Sequence, residues 1–295
     1  MHKMNSIIIL SLLISFTVLS SEINKAFPVS LEDRLKNGEV ANILLIGTDA
    51  RPEEVNGRSD TIMLLSINDQ IKQVAVISIP RDTRIVFKGK NTKINMVNQL
   101  QGPDALCQEI SDLMGLRVQH YILTSFNGFE DIIDQLGGIY LEVDIDIHSP
   151  STGVYLSKGY QCLNGQEALT YVRFRSDSDG DIGRIDRQQR FVSALTEQIL
   201  KKENLARLPG IANKMKENIA TNISLRDMLY LVRLTPGFKS ENLITQTLPG
   251  YHYWSPYSGA SFWEVDPEIA RSLIDSLFNG HRYNTYLDAP PWVNS

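Results

Sequence analysis

Asp49 and Arg51 stand directly after the apolar run Asn42-Ile43-Leu44-Leu45-Ile46, and Arg58 and Asp60 stand two residues apart where the next apolar run begins. Alternate residues of an extended chain project to one side, so Arg58 and Asp60 share a face. The position just past the carboxyl end of a strand is where open α/β sheets bind ligands. Paired carboxylates at Asp49 and Asp60 suit a hard divalent cation, Mg²⁺ or Mn²⁺, which takes one or two of them and leaves its other positions to water and phosphate. The same residues also suit exposed ion pairing worth about 0 to 1 kcal/mol, and taken alone the segment favours that simpler use.

Two further clusters carry arginine. In Pro80-Arg81-Asp82-Thr83-Arg84, which ends an apolar run, Arg81 and Arg84 can each fork two hydrogen bonds to phosphate oxygens; an ordinary polar turn explains the pattern equally well. In Tyr171-Val172-Arg173-Phe174-Arg175, alternation sets Arg173 and Arg175 on one face of an extended segment. Arg184, Arg187, Gln188 and Phe191 then recur at i, i+3, i+4 and i+7 of a long helix. Arg184 falls in its first turn, where the helix dipole disfavours a cation, so an anion bound among the first amides is the expectation and a solvated face the competing one. Together the arginines outnumber Asp49, Asp60 and Asp82, which suits a diphosphate with a metal better than a glycosidase dyad. No GxSxG, GxxxxGK[ST] or HExxH pattern occurs.

The elements that must position these groups follow from periodicity. Strands are expected over 43–46, 61–67 and 73–79, the last two joined by a hairpin turn at 68–72 and stopped by Pro80. A helix opened by Pro103 and closed by Gly115 precedes a strand over 118–124, a helix over 126–136 ending at Gly137-Gly138, and a strand over 139–143. A helical turn at 166–171 leads into the 172–175 segment. The long helix runs from 182 to about 200 with Asp181 as N-cap. Further helices are expected near 203–216, 224–235 and 267–278, and a strand over 243–248. Strands alternating with helices around a hairpin predict an α/β/α sandwich with a central mixed β-sheet.

The 295-residue chain is long enough for one full core, and 42% hydrophobic with 21% charged residues excludes a disordered protein. A net charge of −5 argues against nucleic acid as a partner. Lys3 precedes an uncharged run over 6–19, which reads as an export signal, shorter than the roughly 20 residues that span hydrocarbon. Residues 1–21 are therefore expected as a signal peptide or membrane anchor, 22–40 as a polar linker, and 41–295 as a single catalytic domain with its motifs in 41–200. The protein would work outside the cytoplasm, anchored on the outer face of the membrane or secreted. Cys107 and Cys162 are equally compatible with a disulfide and with two buried thiols. Tyr251, Tyr253, Trp254, Tyr257, Phe262 and Trp263 suit a cap on the core better than a platform for sugar or lipid.

The ordered series "NILLIGTDAR", "GRSDTIMLLSI", "VISIPRDT", "KINMVNQ", "FEDIIDQLGGI", "LNGQEALTYVRFR" and "DIGRIDRQQRF" resembles the LytR-CpsA-Psr family of cell-envelope proteins. The resemblance implies a membrane-associated, outward-facing domain that binds polyprenyl-pyrophosphate-linked glycans. It implies phosphotransfer of wall teichoic acid, capsule or a similar polymer to peptidoglycan, with polyprenyl phosphate released. By this resemblance Asp49 and Asp60 hold the metal, and Arg58, Arg81, Arg173, Arg175 and Arg184 hold the pyrophosphate, with Gln188 beside them. Arg84 and Arg187, which lie in matching motifs without a role fixed by the pattern, are also expected at the pyrophosphate; Asp82, Lys93 and Asn95 lie in matching motifs likewise, and Asp82 is expected as base or as orienter of an arginine. A non-catalytic lipid receptor and a pyrophosphate hydrolase are the competing functions, and an isoprenoid tail would require an apolar groove beside the sheet.

Overall fold

The computed structural model describes residues 29–49, 56–175, 180–199, 219–234, 237–256 and 258–290. The expected export segment, Arg51, the helical pattern at 203–216 and Tyr257 lie outside them, and the long helix begins at Gly180, so Asp181 stands inside it and is not its N-cap. The described elements begin with α1 (Leu31–Lys36), β1 (Ala41–Thr48), β2 (Ser59–Asn68), β3 (Gln73–Ser78), β4 (Arg84–Phe87), β5 (Lys90–Lys93), α2 (Asn95–Gln101) and α3 (Pro103–Met114). They continue with β6 (His120–Ser125), α4 (Phe126–Leu136), β7 (Ile139–Val143), β8 (Ile147–Ser149), β9 (Val154–Leu156), β10 (Gly159–Leu163), α5 (Gly165–Arg173) and α6 (Gly180–Ile199). The last are β11 (Ile219–Thr221), α7 (Leu225–Leu234), β12 (Leu243–Thr247), β13 (Gly250–Trp254), β14 (Ser261–Val265) and α8 (Pro267–Phe278).

The expected mixed sheet is present, in the order β11-β6-β1-β2-β3-β12. β1 and β3 each pair antiparallel with β2, while β6 runs parallel to β1 and β12 parallel to β3. β1 is apolar at nearly every position because helices cover both of its faces. Leu44 and Ile46 pack with Ile62, Leu64 and Ile77 against Leu106 and Ile110 of α3 and Leu273 and Ile274 of α8. Ile43 and Leu45 face the other way, towards Leu31 and Leu35 of α1 and Met228 and Leu231 of α7. A separate core joins α4, α5 and α6 to the ribbon of β7 and β10 and the small hairpin of β8 and β9, through Ile133, Ile139, Leu163, Tyr171 and Phe191.

Two expectations change. Residues 31–36, read as linker, form a helix whose Leu31 and Leu35 are fully buried; six residues are too few for helical periodicity to register, and the tie that fixes them lies far along the chain. Asp227, on the first turn of α7, accepts hydrogen bonds from the Glu32 amide (3.0 Å), the Ser30 hydroxyl (2.6 Å) and the Ser224 hydroxyl (2.8 Å). The 172–175 segment is also not extended, because α5 carries on to Arg173 and Phe174 caps it. Its start is fixed by a capping box, in which the Asn164 side chain accepts from the Glu167 amide and the Glu167 side chain accepts from the Asn164 amide. The cysteines form no disulfide: Cys107 is buried, with its thiol pushed up to about 12 by desolvation, and Cys162 is exposed. Of the aromatics expected to cap the core, Phe262 and Trp263 are buried and Trp263 donates to the Leu248 carbonyl (3.0 Å), whereas Trp254 is 69% exposed and does not cap it. Among the described residues no helix is long and apolar enough to cross a membrane.

Two outcomes follow from this packing. Burial raises the Asp227 carboxyl, but Ser30, the Glu32 amide and Ser224 outweigh it and hold the group below its ordinary value. Asp227→Ala should cost about 2 to 3 kcal/mol at neutral pH by removing three hydrogen bonds. A depressed carboxyl stabilises the fold above its unfolded pKa of about 3.9 and stops doing so as pH falls through the folded value. Thermal melts of the two proteins should therefore converge in acid. At Gly165, an added Cβ would meet the Glu130 carbonyl oxygen of α4 at 2.3 Å. Gly165→Ala should push α5 off α4 and lower stability by about 1 to 3 kcal/mol in a denaturant titration.

Candidate functional site

Sheet direction gathers the site. β1, β3 and β6 all run the same way, so their carboxyl ends emerge at one edge, where β2 begins. That edge collects Asp49 after β1, Arg81 after β3, Phe126 after β6 and Asp60 at the start of β2. The register of β1 on β2 passes from Gly47↔Thr61 to Thr48↔Ser59, leaving Asp60 as an extra, unpaired residue. Such a bulge twists the strand and re-aims a side chain. Here it turns Asp60 towards Arg81, whose Nη1 donates to Asp60 Oδ1 at 2.7 Å. Asp49 is tied across the same bend: its Oδ1 accepts from the Arg58 amide (3.1 Å), and its own amide donates to the Arg58 carbonyl (3.4 Å).

Three helices close the cavity. Ser125 caps α4 by accepting from the Gly128 amide (3.3 Å), which sets Phe126 at the first helical position. Arg173 ends α5, where the helix dipole favours a cation, and its guanidinium lies 4.0 Å from the Phe126 ring centroid. Gln188 of α6 is buried and donates to the Val172 carbonyl (3.2 Å) and the Thr61 hydroxyl (3.4 Å), so it fastens α6 to both α5 and β2. The result is a cavity of about 250 Å³ lined by Asp60, Thr61, Arg81, Phe126, Arg173, Arg175, Arg184 and Gln188. Four guanidiniums against one carboxylate make it strongly cationic in a chain of net charge −5.

A second, polar cavity of about 330 Å³ shares Arg173 and Arg175 with the first. Ser149, Ser151, Thr152, Gln166 and Thr170 give it hydroxyl and amide lining, and Glu130 lies at its wall. Burial, reinforced by Asp134 and Asp131, raises the Glu130 carboxyl above its ordinary value.

Other sequence candidates stand apart from this lining. Arg58 is exposed and meets Asp49 through its backbone. Arg84, expected at the pyrophosphate, instead forks to Glu264 of β14 with both contacts at 2.5 Å and lies over the Tyr253 ring, and the Glu264 hydrogen bonds raise it further above its usual range. Arg187 is 1% exposed and is spent on Asp144 (3.3 Å), the Phe174 carbonyl (3.3 Å) and the Phe174 ring. It thereby shapes the turn that carries Arg173 and Arg175 but lines neither cavity. Asp82 pairs with Lys93 (3.0 Å) and its carbonyl accepts from the Trp263 amide (2.9 Å), so the residue chosen as base or orienter holds β14 rather than facing the arginines. Asn95 is buried on α2.

Phe126 and Thr61 were not foreseen. The signal for Phe126 was available, because it follows a strand whose carboxyl end abuts that of β1, where sheets of this kind bind ligands. For a cation, Asp60 lines the cavity, whereas Asp49 is exposed and stands outside its lining; each commits one oxygen to a protein donor. That donor set fits Mg²⁺, which needs only one or two carboxylates beside phosphate and water. Among the described residues no group of three or more His, Cys, Asp or Glu gathers elsewhere.

Comparison with known proteins finds relatives of the chain. A family model described as the LytR_cpsA_psr family covers residues 15–279. The polyisoprenyl-teichoic acid–peptidoglycan teichoic acid transferase TagV of Bacillus subtilis (strain 168) is 32% identical over 236 residues, 76% of this chain; the chain spans 60% of that relative's length. The crystal structure of B. subtilis TagV superposes with a TM-score of 0.72 at 30% identity, covering 82% of this chain and 98% of that one. A structure of TagT bound to LI-WTA gives 0.65 at 26% identity, covering 81% and 90% respectively. The motifs that build the arginine cavity fall inside the matched residues, and the chain belongs to the LytR-CpsA-Psr family.

Proposed function

We propose that the protein is a metal-dependent phosphotransferase that moves a glycan phosphate from a polyprenyl-pyrophosphate-linked precursor onto peptidoglycan. The observation that carries this reading is the convergence of Arg81, Arg173, Arg175 and Arg184 on one small cavity that also holds Asp60. The printed names of the relatives, teichoic acid transferases acting on a polyisoprenyl-linked polymer and peptidoglycan, support it, as does the capture of LI-WTA by TagT. Wall teichoic acid is accordingly the favoured polymer.

Phosphoryl transfer asks a protein mainly to position its reactants and neutralise charge. Arg81, steered by Asp60, and Arg173, supported on Phe126, are fixed before substrate arrives. Such prearranged donors stabilise developing negative charge without reorganisation. An acceptor hydroxyl attacks the glycan-linked phosphorus; the new P–O bond forms as the bond to polyprenyl phosphate breaks, and the hydroxyl proton is released. Asp49 and Asp60 would hold Mg²⁺ or Mn²⁺, which would supply further neutralisation of the phosphate oxygens. The second cavity, opening from Arg173 and Arg175 with its hydroxyl and amide lining, suits the sugar next to the phosphate. In this reading the protein is exported and acts at the outer face of the membrane, where the isoprenoid chain of the substrate is embedded.

Transfer from a polyprenyl-pyrophosphoryl glycan to peptidoglycan, followed by radiolabel, tests the assignment. Arg81→Ala should lower turnover about 10²- to 10³-fold with an unchanged melting curve. Arg84→Ala should lose stability through Glu264 while retaining turnover within a few-fold; equal loss in both variants would remove the cavity from the mechanism. Chelation should abolish transfer and added Mg²⁺ or Mn²⁺ restore it. Asp49→Asn and Asp60→Asn should each raise the metal concentration needed, and metal-independent turnover in the native protein would refute the cation's role.

A further inference from the structure

The long helix α6 carries two chemistries on opposite sides. At 100° per residue, Arg184, Gln188 and Phe191 recur towards the arginine cavity and the core. Asp186, Gln189, Arg190, Ser193 and Glu197 recur on the reverse side and form one wall of a separate cleft of about 560 Å³. The other wall is the outer face of the β7 and β10 ribbon. Ile139, Leu141 and Val143 point into the core beneath it, whereas Tyr140, Glu142 and Tyr160 point outwards. Tyr140 is 50% and Tyr160 69% exposed, and their rings lie stacked with centroids 6.2 Å apart and planes 27° from parallel.

This cleft is held rigidly. Buried Gln198 of α6 accepts from the Tyr140 amide (3.2 Å) and donates to the Gly138 carbonyl (2.5 Å), pinning the ribbon to the helix beside the tyrosines. Its volume lies within the roughly 300 to 1,000 Å³ range of ligand clefts. Its chemistry combines aromatic faces with hydrogen-bonding rims: Glu142, Asp186 and Glu197 accept strongly, Gln189 and Ser193, which donate to the Thr247 hydroxyl (3.0 Å) and the Gln189 carbonyl (3.0 Å), keep oxygens that accept, and Arg190 donates. A pyranose offers the complement, an apolar C–H face for the tyrosines and hydroxyls for the carboxylates. Three carboxylates against one guanidinium repel a phosphate-bearing chain, the reverse of the arginine cavity.

We infer that the cleft between α6 and the β7–β10 ribbon binds an uncharged glycan strand of N-acetylhexosamine type, outside the phosphotransfer cavity. The pyranose chemistry rests on the cleft's own lining; that the sugars are N-acetylhexosamines and the strand the acceptor rests on the transferase reading above. The two sides of α6 carry opposite charge, which keeps a polyanionic donor out of the cleft.

Calorimetric titration of the full chain with the hexamer of N-acetylglucosamine tests the inference, with a glycerol phosphate polymer as competitor. The hexamer should bind the native protein and Arg81→Ala alike, and the polymer should not displace it. Tyr160→Ala should weaken binding about tenfold, Tyr160→Phe should keep it, and Asp186→Ala should weaken it without altering the melting curve, since both side chains are exposed. Absence of hexamer binding, binding indifferent to Tyr140→Ala and Tyr160→Ala, or binding lost in Arg81→Ala would overturn the assignment. Hexamer binding in a protein that shows no transfer would uphold the cleft and sink only the transferase reading.

Discussion

Four guanidinium groups share a cavity of about 250 Å³, and their mutual repulsion is the constraint around which the surrounding structure is organised. Like charges 4 Å apart repel by about 1 kcal/mol in water and about 4 kcal/mol at the effective dielectric of a protein surface. Each arginine position described in detail has a compensating partner. Asp60 neutralises Arg81, and the Phe126 ring and the carbonyl end of α5 stabilise Arg173. The supports come from strands and helices far apart in sequence, so the cationic cavity forms only when the whole sheet edge is assembled. An anionic ligand removes the remaining repulsion, and the fold is in that sense built for an occupant it does not itself supply.

The bulge at Asp60 shows how economically the edge is made. One unpaired residue in β2 redirects a carboxylate that strict alternation would have sent elsewhere. The same irregularity lets Asp49 exchange backbone and side-chain contacts with Arg58. Gln188 then links the edge to the helices through the Thr61 hydroxyl and the Val172 carbonyl, so β2, α5 and α6 are tied together at one side chain. Displacing any of the three would separate guanidiniums that line one cavity.

Much of this frame is legible in the amino-acid order. The hairpin of β2 and β3, the helix between Pro103 and Gly115, and the helix over 267–278 follow from turn chemistry and periodicity that act locally. The short elements are less visible. α1 exists because Asp227, nearly two hundred residues away, satisfies its first turn, and the β4–β5 hairpin carries Lys and Asn where alternation would ask for apolar residues. Among the arginines, residue type and spacing identify Arg81, Arg173, Arg175 and Arg184 but cannot separate them from Arg84 and Arg187. What separates them is the partner: Glu264 lies 180 positions beyond Arg84, and Asp144 lies 43 before Arg187. No local pattern encodes those distances.

Arg187 makes the distinction physical. Burying an ion pair costs desolvation that its Coulomb attraction repays only when geometry and additional hydrogen bonds are good. Arg187, 1% exposed, donates through both terminal nitrogens to Asp144 and the Phe174 carbonyl, leaves its buried Nε without a protein partner among the described residues, and sets its guanidinium carbon 5.3 Å from the Phe174 ring centroid. A hydrophobic residue of similar volume would fill the space but would leave the Phe174 carbonyl without that donor at the point where α5 ends. The buried cation therefore fixes the direction in which the chain leaves Arg173 and reaches Arg175. A guanidinium that lines neither cavity sets the course of the segment carrying two that line both.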